Sequence, residues 1–173
     1  MISISVLFWI FVILFAIIGG LRGWAKEILV TAGGILSLFL ISIMENYIPF
    51  VRDNLTQDSA FWVHISVLGV ITFFGYQTPN IPRLMETGKF LRDRFQDILL
   101  GFFLGAVNGY LIFGSIWYFL IEVNYPFDWI TAPTEITQNM AGLINILPPQ
   151  WLTPPTVYIA VAVAFVFILV VFI

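Results

Sequence analysis

Ile98-Leu-Leu-Gly101-Phe-Phe-Leu-Gly105-Ala-Val-Asn108-Gly109-Tyr-Leu-Ile-Phe-Gly-Ser-Ile-Trp-Tyr-Phe-Leu-Ile121 runs for 24 residues without Asp, Glu, Lys, Arg or His. A helix rises about 1.5 Å per residue, so this run is long enough to cross a hydrocarbon core of about 30 Å. Four other runs also lack Asp, Glu, Lys and Arg: 3–20, 28–44, 60–76 and 156–173. In hydrocarbon every backbone polar group must be satisfied within its own segment, so such runs are read as helices. The expectation is an all-α, polytopic membrane bundle of about five transmembrane helices, forming a single domain over 1–173.

Composition points the same way. Hydrophobic residues make up 60% of the 173 residues and charged residues 10%. Soluble domains carry about 45–50% and about 25%. Seven Lys plus Arg and ten Asp plus Glu are too few to clothe a soluble domain of this size. The net charge of −3 and the lack of a basic tract set nucleic-acid binding aside, since that requires several phosphates to be neutralised together. The absence of cysteine removes disulfides, thiolate chemistry and cysteine-held metals. The first run has no basic residue before it, and Gly-Gly-Leu-Arg after it is a poor cleavage site, so it reads as a retained helix rather than a leader.

The connectors differ in character. Arg22, Gly23, Trp24, Lys26 and Glu27 form a short basic turn after the first run, and Glu45, Asn46, Pro49, Arg52, Asp53 and Asp58 break the pattern after the second. Between Pro82 and Asp97 the apolar residues Leu84, Leu91, Phe95 and Ile98 recur at helical spacing. Arg83, Lys89, Arg92 and Arg94 supply a basic surface on the rest. That pattern suits an interfacial helix with its apolar face in the headgroup region; a solvated helical loop is the plainer alternative. A second short amphipathic helix is expected where Ile136, Met140, Leu143, Ile144 and Leu147 share a face, with Thr134 as N-cap and Glu135 in the first turn. Six of the seven basic residues fall in the first and third connectors and only Arg52 elsewhere. The positive-inside rule then places the N-terminus outside and the C-terminus in the cytoplasm.

Gly101, Gly105 and Gly109 stand four apart on one stripe of the fourth run. Small residues let helix backbones approach closely in a membrane, so the stripe reads as a packing seam, facing either another helix of this chain or another subunit. Asn108 beside it needs a hydrogen-bond partner, most simply across helices. His64 is the sole histidine, and with Glu45 and Asp58 at no motif spacing it reads as an interfacial or a hydrogen-bonded residue rather than a metal ligand. Asp93, Arg94 and Asp97 read as a solvated ion-pair face rather than an acid/base pair. Asn54-Leu55-Thr56 is a formal glycosylation acceptor with little weight. No phosphate-binding loop, dinucleotide fingerprint, metalloprotease or serine-hydrolase motif is present. No catalytic site, metal or cofactor is expected.

Two clusters carry a family resemblance: Gly20-Leu-Arg22-Gly23-Trp24-Ala-Lys26-Glu27-Ile-Leu29, and Asp97 leading into Gly101, Gly105-Ala and Gly109-Tyr-Leu-Ile112. Over residues 1–121 the chain resembles the colicin V production protein family of bacterial inner-membrane proteins. In that family an Arg-Gly-aromatic turn with a downstream acidic residue follows the first span, and a later glycine-bearing span opens with an acidic residue. Here Arg22, Gly23, Trp24, Glu27 and Asp97 match. Ile98 and Asn108 stand where the family carries basic residues. The resemblance implies a multi-pass protein of the bacterial inner membrane associated with toxin production or export, and no defined reaction. Two readings follow. One is a non-catalytic subunit that packs against other transmembrane subunits, or against copies of itself, in an assembly or scaffolding role. The other is a secretion- or transport-related protein with a water-filled path past Asn108, Tyr110 and Ser115.

Overall fold

The structure is a computed structural model, and it describes residues 2–77, 94–127, 130–131 and 138–172. Its elements in chain order are β1 (Ile2–Ser3), α1 (Ile4–Arg22), α2 (Trp24–Tyr47), α3 (Pro49–Asn54), α4 (Gln57–Tyr76), α5 (Arg94–Glu122), β2 (Ile130–Thr131), α6 (Gln138–Asn145), α7 (Pro148–Trp151) and α8 (Thr156–Phe172). Among the described residues the fold is helical apart from one two-residue parallel pairing, Ile2 with Ile130 and Ser3 with Thr131. The basic interfacial segment, with Arg83, Lys89, Arg92 and Asp93, lies outside the described residues. So do Thr134, Glu135 and Ile136 of the second amphipathic stretch, of which α6 is described.

Four helices, α1, α2, α4 and α5, are long and apolar enough to cross a membrane, with mean hydropathies of 2.8, 2.1, 1.5 and 1.7 over their best windows. Only 22% of that window is buried in α1 and 22% in α4. Most of their apolar surface therefore faces outward, including Trp9, Ile13, Trp62, Phe73 and Phe74. Water is a poor solvent for such a surface, since each exposed Å² of it costs about 25 cal/mol. The fifth apolar helix, α8, has 17 residues and packs on α2 through Tyr158 against Phe39, with ring centroids 5.6 Å apart.

The helix limits differ from the hydropathy runs in an informative way. α2 begins at Trp24, not at residue 28, so Lys26 and Glu27 are helical rather than part of a turn. The whole α1–α2 corner is one residue, Gly23, at φ 86° and ψ 155°. That region is open essentially to glycine alone. At its other end α2 continues to Tyr47 and takes in Glu45 and Asn46, whose Nδ2 donates to the Ser42 carbonyl one turn back at 2.8 Å.

α5 is the central element. α1 lies antiparallel along it and α2 parallel to it, while α4 runs antiparallel to α2 and also touches α5, where the His64 and Phe119 rings lie 4.9 Å apart. Phe11 stacks on Phe113 with centroids 3.7 Å apart. Phe8 meets Trp117 at 5.5 Å, and Trp117 is fully buried. Beyond α5 the chain turns through Asn124 and Tyr125, both at positive φ, and Trp117 donates its indole N–H to the Tyr125 hydroxyl at 3.2 Å. It then returns alongside α5. Pro148 packs on Gly114, while Tyr110 accepts from the Trp151 indole at 2.9 Å and donates to the Ile146 carbonyl.

Candidate functional site at the α1–α2–α5 joint

The residues singled out near Gly23 and those on the glycine stripe are far apart in the chain and meet at one end of the bundle. Three layers build the site: a glycine contact, a capped corner and a buried ion pair.

The glycine contact comes first because it sets the helix spacing. A Cβ on Gly19 would lie 2.7 Å from the Gly105 Cα and would overlap the Gly101 carbonyl oxygen. A Cβ on Gly105 would lie 2.9 Å from the Gly19 Cα, and one on Gly109 would lie 2.9 Å from the Val12 Cα. The glycine stripe thus faces α1 of the same chain. Gly19 completes it, and only its place opposite Gly101 and Gly105 marks it out.

The close approach brings Asp97, at the start of α5, to the corner. Its Oδ1 accepts the Trp24 backbone N–H at 3.1 Å, one of the donors at the head of α2 that have no partner within the helix. A carboxylate there also opposes the positive end of the α2 dipole. Asp97, read from sequence as part of a solvated ion-pair face, instead turns onto another helix. A side chain on Gly23 would meet it, since a Cβ there would lie 2.8 Å from Asp97 Oδ2.

One turn into α2, Glu27 is wholly buried. Arg22 Nη1 donates to its Oε1 at 2.6 Å. Asn108 Nδ2 donates to its Oε2 at 2.7 Å and lies 3.1 Å from its backbone carbonyl. The Thr31 hydroxyl lies 2.7 Å from Asn108 Oδ1 and 3.0 Å from the Glu27 carbonyl. Arg22 also reaches α4: Nη2 donates to the Tyr76 carbonyl at 3.1 Å, and the guanidinium sits 4.4 Å over the Tyr76 ring. The Tyr76 hydroxyl is buried and has no hydrogen-bond partner among the described residues. Both ions of the pair are therefore compensated, which is the condition under which a buried charge persists.

Of the other polar residues on α5, Ser115 is engaged within its own helix. Ser115 is buried and donates to the Leu111 carbonyl at 2.6 Å. His64 lies elsewhere, at the far end of the bundle, where it is buried with its Nε2 3.1 Å from Glu45 Oε1. Among the described residues no three His, Cys, Asp or Glu side chains converge as a metal site. Sequence reading missed the roles of Thr31, Tyr76 and Gly19, none of which has a motif signal of its own. Comparisons with known protein families, with curated proteins and with solved structures find no match for this chain.

Proposed function

We propose that the chain is a non-catalytic integral membrane subunit that packs against other membrane proteins in an assembly or scaffolding role. In this reading α8 serves as a fifth span, and the N-terminus lies outside and the C-terminus in the cytoplasm of a bacterial inner-membrane protein. The observation that carries it is the internal satisfaction of the joint. Arg22, Glu27, Asn108 and Thr31 bond to one another and offer little to a substrate. Arg22 and Glu27 face each other inside the bundle and pair there, as intramembrane charges do, and the pair pins helices together. The outward rows of α1, α4 and α5, rich in Trp and Phe, then remain for lipid and neighbouring subunits.

The resemblance to the colicin V production family supports a bacterial inner-membrane setting and keeps a secretion- or transport-related role as the alternative. That role needs water beside Asn108, Tyr110 and Ser115. Burial of Asn108 and Ser115, at 1% and 0% exposed, favours the scaffold. Purification in mild detergent, with identification of the associated chains, tests the proposal. Stoichiometric co-purification with other membrane proteins is expected; recovery solely as free monomer contradicts it.

A further inference from the structure

α4 is held to its neighbours differently at its two ends. Near Tyr76 the backbones of α2 and α4 approach closely. A Cβ on Gly75 would lie 3.1 Å from the Val30 Cα, and one on Gly33 would lie 3.4 Å from the Ile71 carbonyl oxygen. Arg22 adds its bond to the Tyr76 carbonyl at 3.1 Å. Small residues that let backbones meet make a firm contact in a membrane, and this glycine contact contains no titratable group.

Toward its other end α4 meets its neighbours through a histidine. His64 is only 4% exposed. Its Nε2 is 3.1 Å from Glu45 Oε1 of α2, and its ring lies 4.9 Å from that of Phe119 on α5. One side chain thus touches both adjoining helices. Neither ring nitrogen has a hydrogen bond among the described residues, although buried polar atoms are normally satisfied. A neutral imidazole held this way leaves its polar atoms unused. A protonated one carries an N–H on both nitrogens and forms an ion pair with the carboxylate beside it. The Glu45 side chain is half exposed, so the proton has a route from solvent. Glu122 of α5, one turn beyond Phe119, is within electrostatic reach of His64 and acts in the same sense as Glu45. On α4 itself Asp58 lies six residues away, on a different face of the helix.

We propose that His64 is an acid-responsive latch that ties residues 57–68 of α4 to α2 through Glu45. In acid the imidazolium pairs with Glu45 and this half of α4 closes on α2. As the pH rises the proton leaves, the charge pair is lost and this half loosens, while the glycine contact keeps the other half in place. The sign follows from linkage: the pair exists only with the proton bound, so acid favours the closed arrangement. Histidine ordinarily titrates near about pH 6.5, above ordinary carboxylates, so the change belongs between about pH 5.5 and about pH 7.5.

The test uses the untagged full chain in phosphatidylcholine nanodiscs. His64 is the sole histidine, so isotope-labelled histidine gives one imidazole NMR signal whose titration needs no assignment. Glu45→Gln should weaken proton binding by about tenfold or more, the equivalent of about one pH unit. Amide hydrogen exchange, corrected for its intrinsic pH dependence, reads the latch itself. Over residues 58–66 it should be about tenfold slower at about pH 5.5 than at about pH 7.5, with residues 71–76 unchanged. That contrast lies within the unaltered protein, so no misfolded variant can spoil it. In His64→Gln the pH response should vanish. Proton binding unaffected by Glu45→Gln, equal exchange over residues 58–66 at the two pH values, equal slowing of both segments, or a pH response that persists in folded His64→Gln would each overturn the proposal.

Discussion

The Arg22 guanidinium pairs with the Glu27 carboxylate at 2.6 Å, although the two sit on different helices separated by the single residue Gly23. Asn108, on a third helix, bonds the other oxygen of the same carboxylate at 2.7 Å. The pair therefore fixes the angle between α1 and α2 and ties both to α5.

Removing one ion should cost far more than removing both. Arg22→Ala leaves the Glu27 charge buried, and about 3–5 kcal/mol of stability should be lost. Replacing both residues by methionine removes the uncompensated charge and should recover most of that loss. Chemical unfolding in detergent, followed by tryptophan fluorescence, compares the two. Equal stability of Arg22→Ala and the unaltered protein would show that the pair is solvated.

Gly105 and Gly69 form a matched contrast on two helices. A Cβ on Gly105 meets the α1 backbone, whereas one on Gly69 has no heavy atom within 4 Å. Gly69→Ala should be neutral or stabilise by up to about 1 kcal/mol through helix propensity. Gly105→Leu should cost about 1–3 kcal/mol or more through overpacking and abolish recovery of folded protein. Similar yields and melting temperatures for the two variants would argue against the close contact.

Gly23→Ala should destabilise by about 1–3 kcal/mol, because alanine cannot readily hold φ 86° with ψ 155°. Asp97→Asn keeps the shape but loses the charge at the head of α2, with a smaller expected effect of about 0.3–1 kcal/mol. Thermal melts of both variants check the order. A larger effect from Asp97→Asn than from Gly23→Ala would reverse the view of the corner as limited by backbone conformation.

Topology has a separate check. A reporter fused after Ile173 should be active in its cytoplasmic form, and one placed in the Tyr47–Pro49 connection in its external form. Activity of the first only outside the cytoplasm would contradict the proposed orientation.

The long helices were legible because apolar side chains must line any segment with no water around it, and runs such as 98–121 carry that requirement in plain view. Their ends were less so. Lys26 and Glu27 look like a connector, since a charge ordinarily stops an apolar run. Glu27 is nonetheless helical and buried, because Arg22 and Asn108 compensate it, and Asn108 lies 81 positions away in the chain. The glycine spacing in α5 was visible, whereas its counterpart Gly19 was one of two adjacent glycines with no period to single it out. The approach of His64 to Glu45 depends on how α4 packs against α2, and no local pattern encodes it.

Alkaline carbonate extraction of cell membranes, followed by purification with and without detergent, probes most directly whether hydrocarbon surrounds the outward faces of α1, α4 and α5. The expected result is complete retention in the membrane pellet and aggregation once detergent is withdrawn. Release into the supernatant as a monodisperse, detergent-free protein would contradict it.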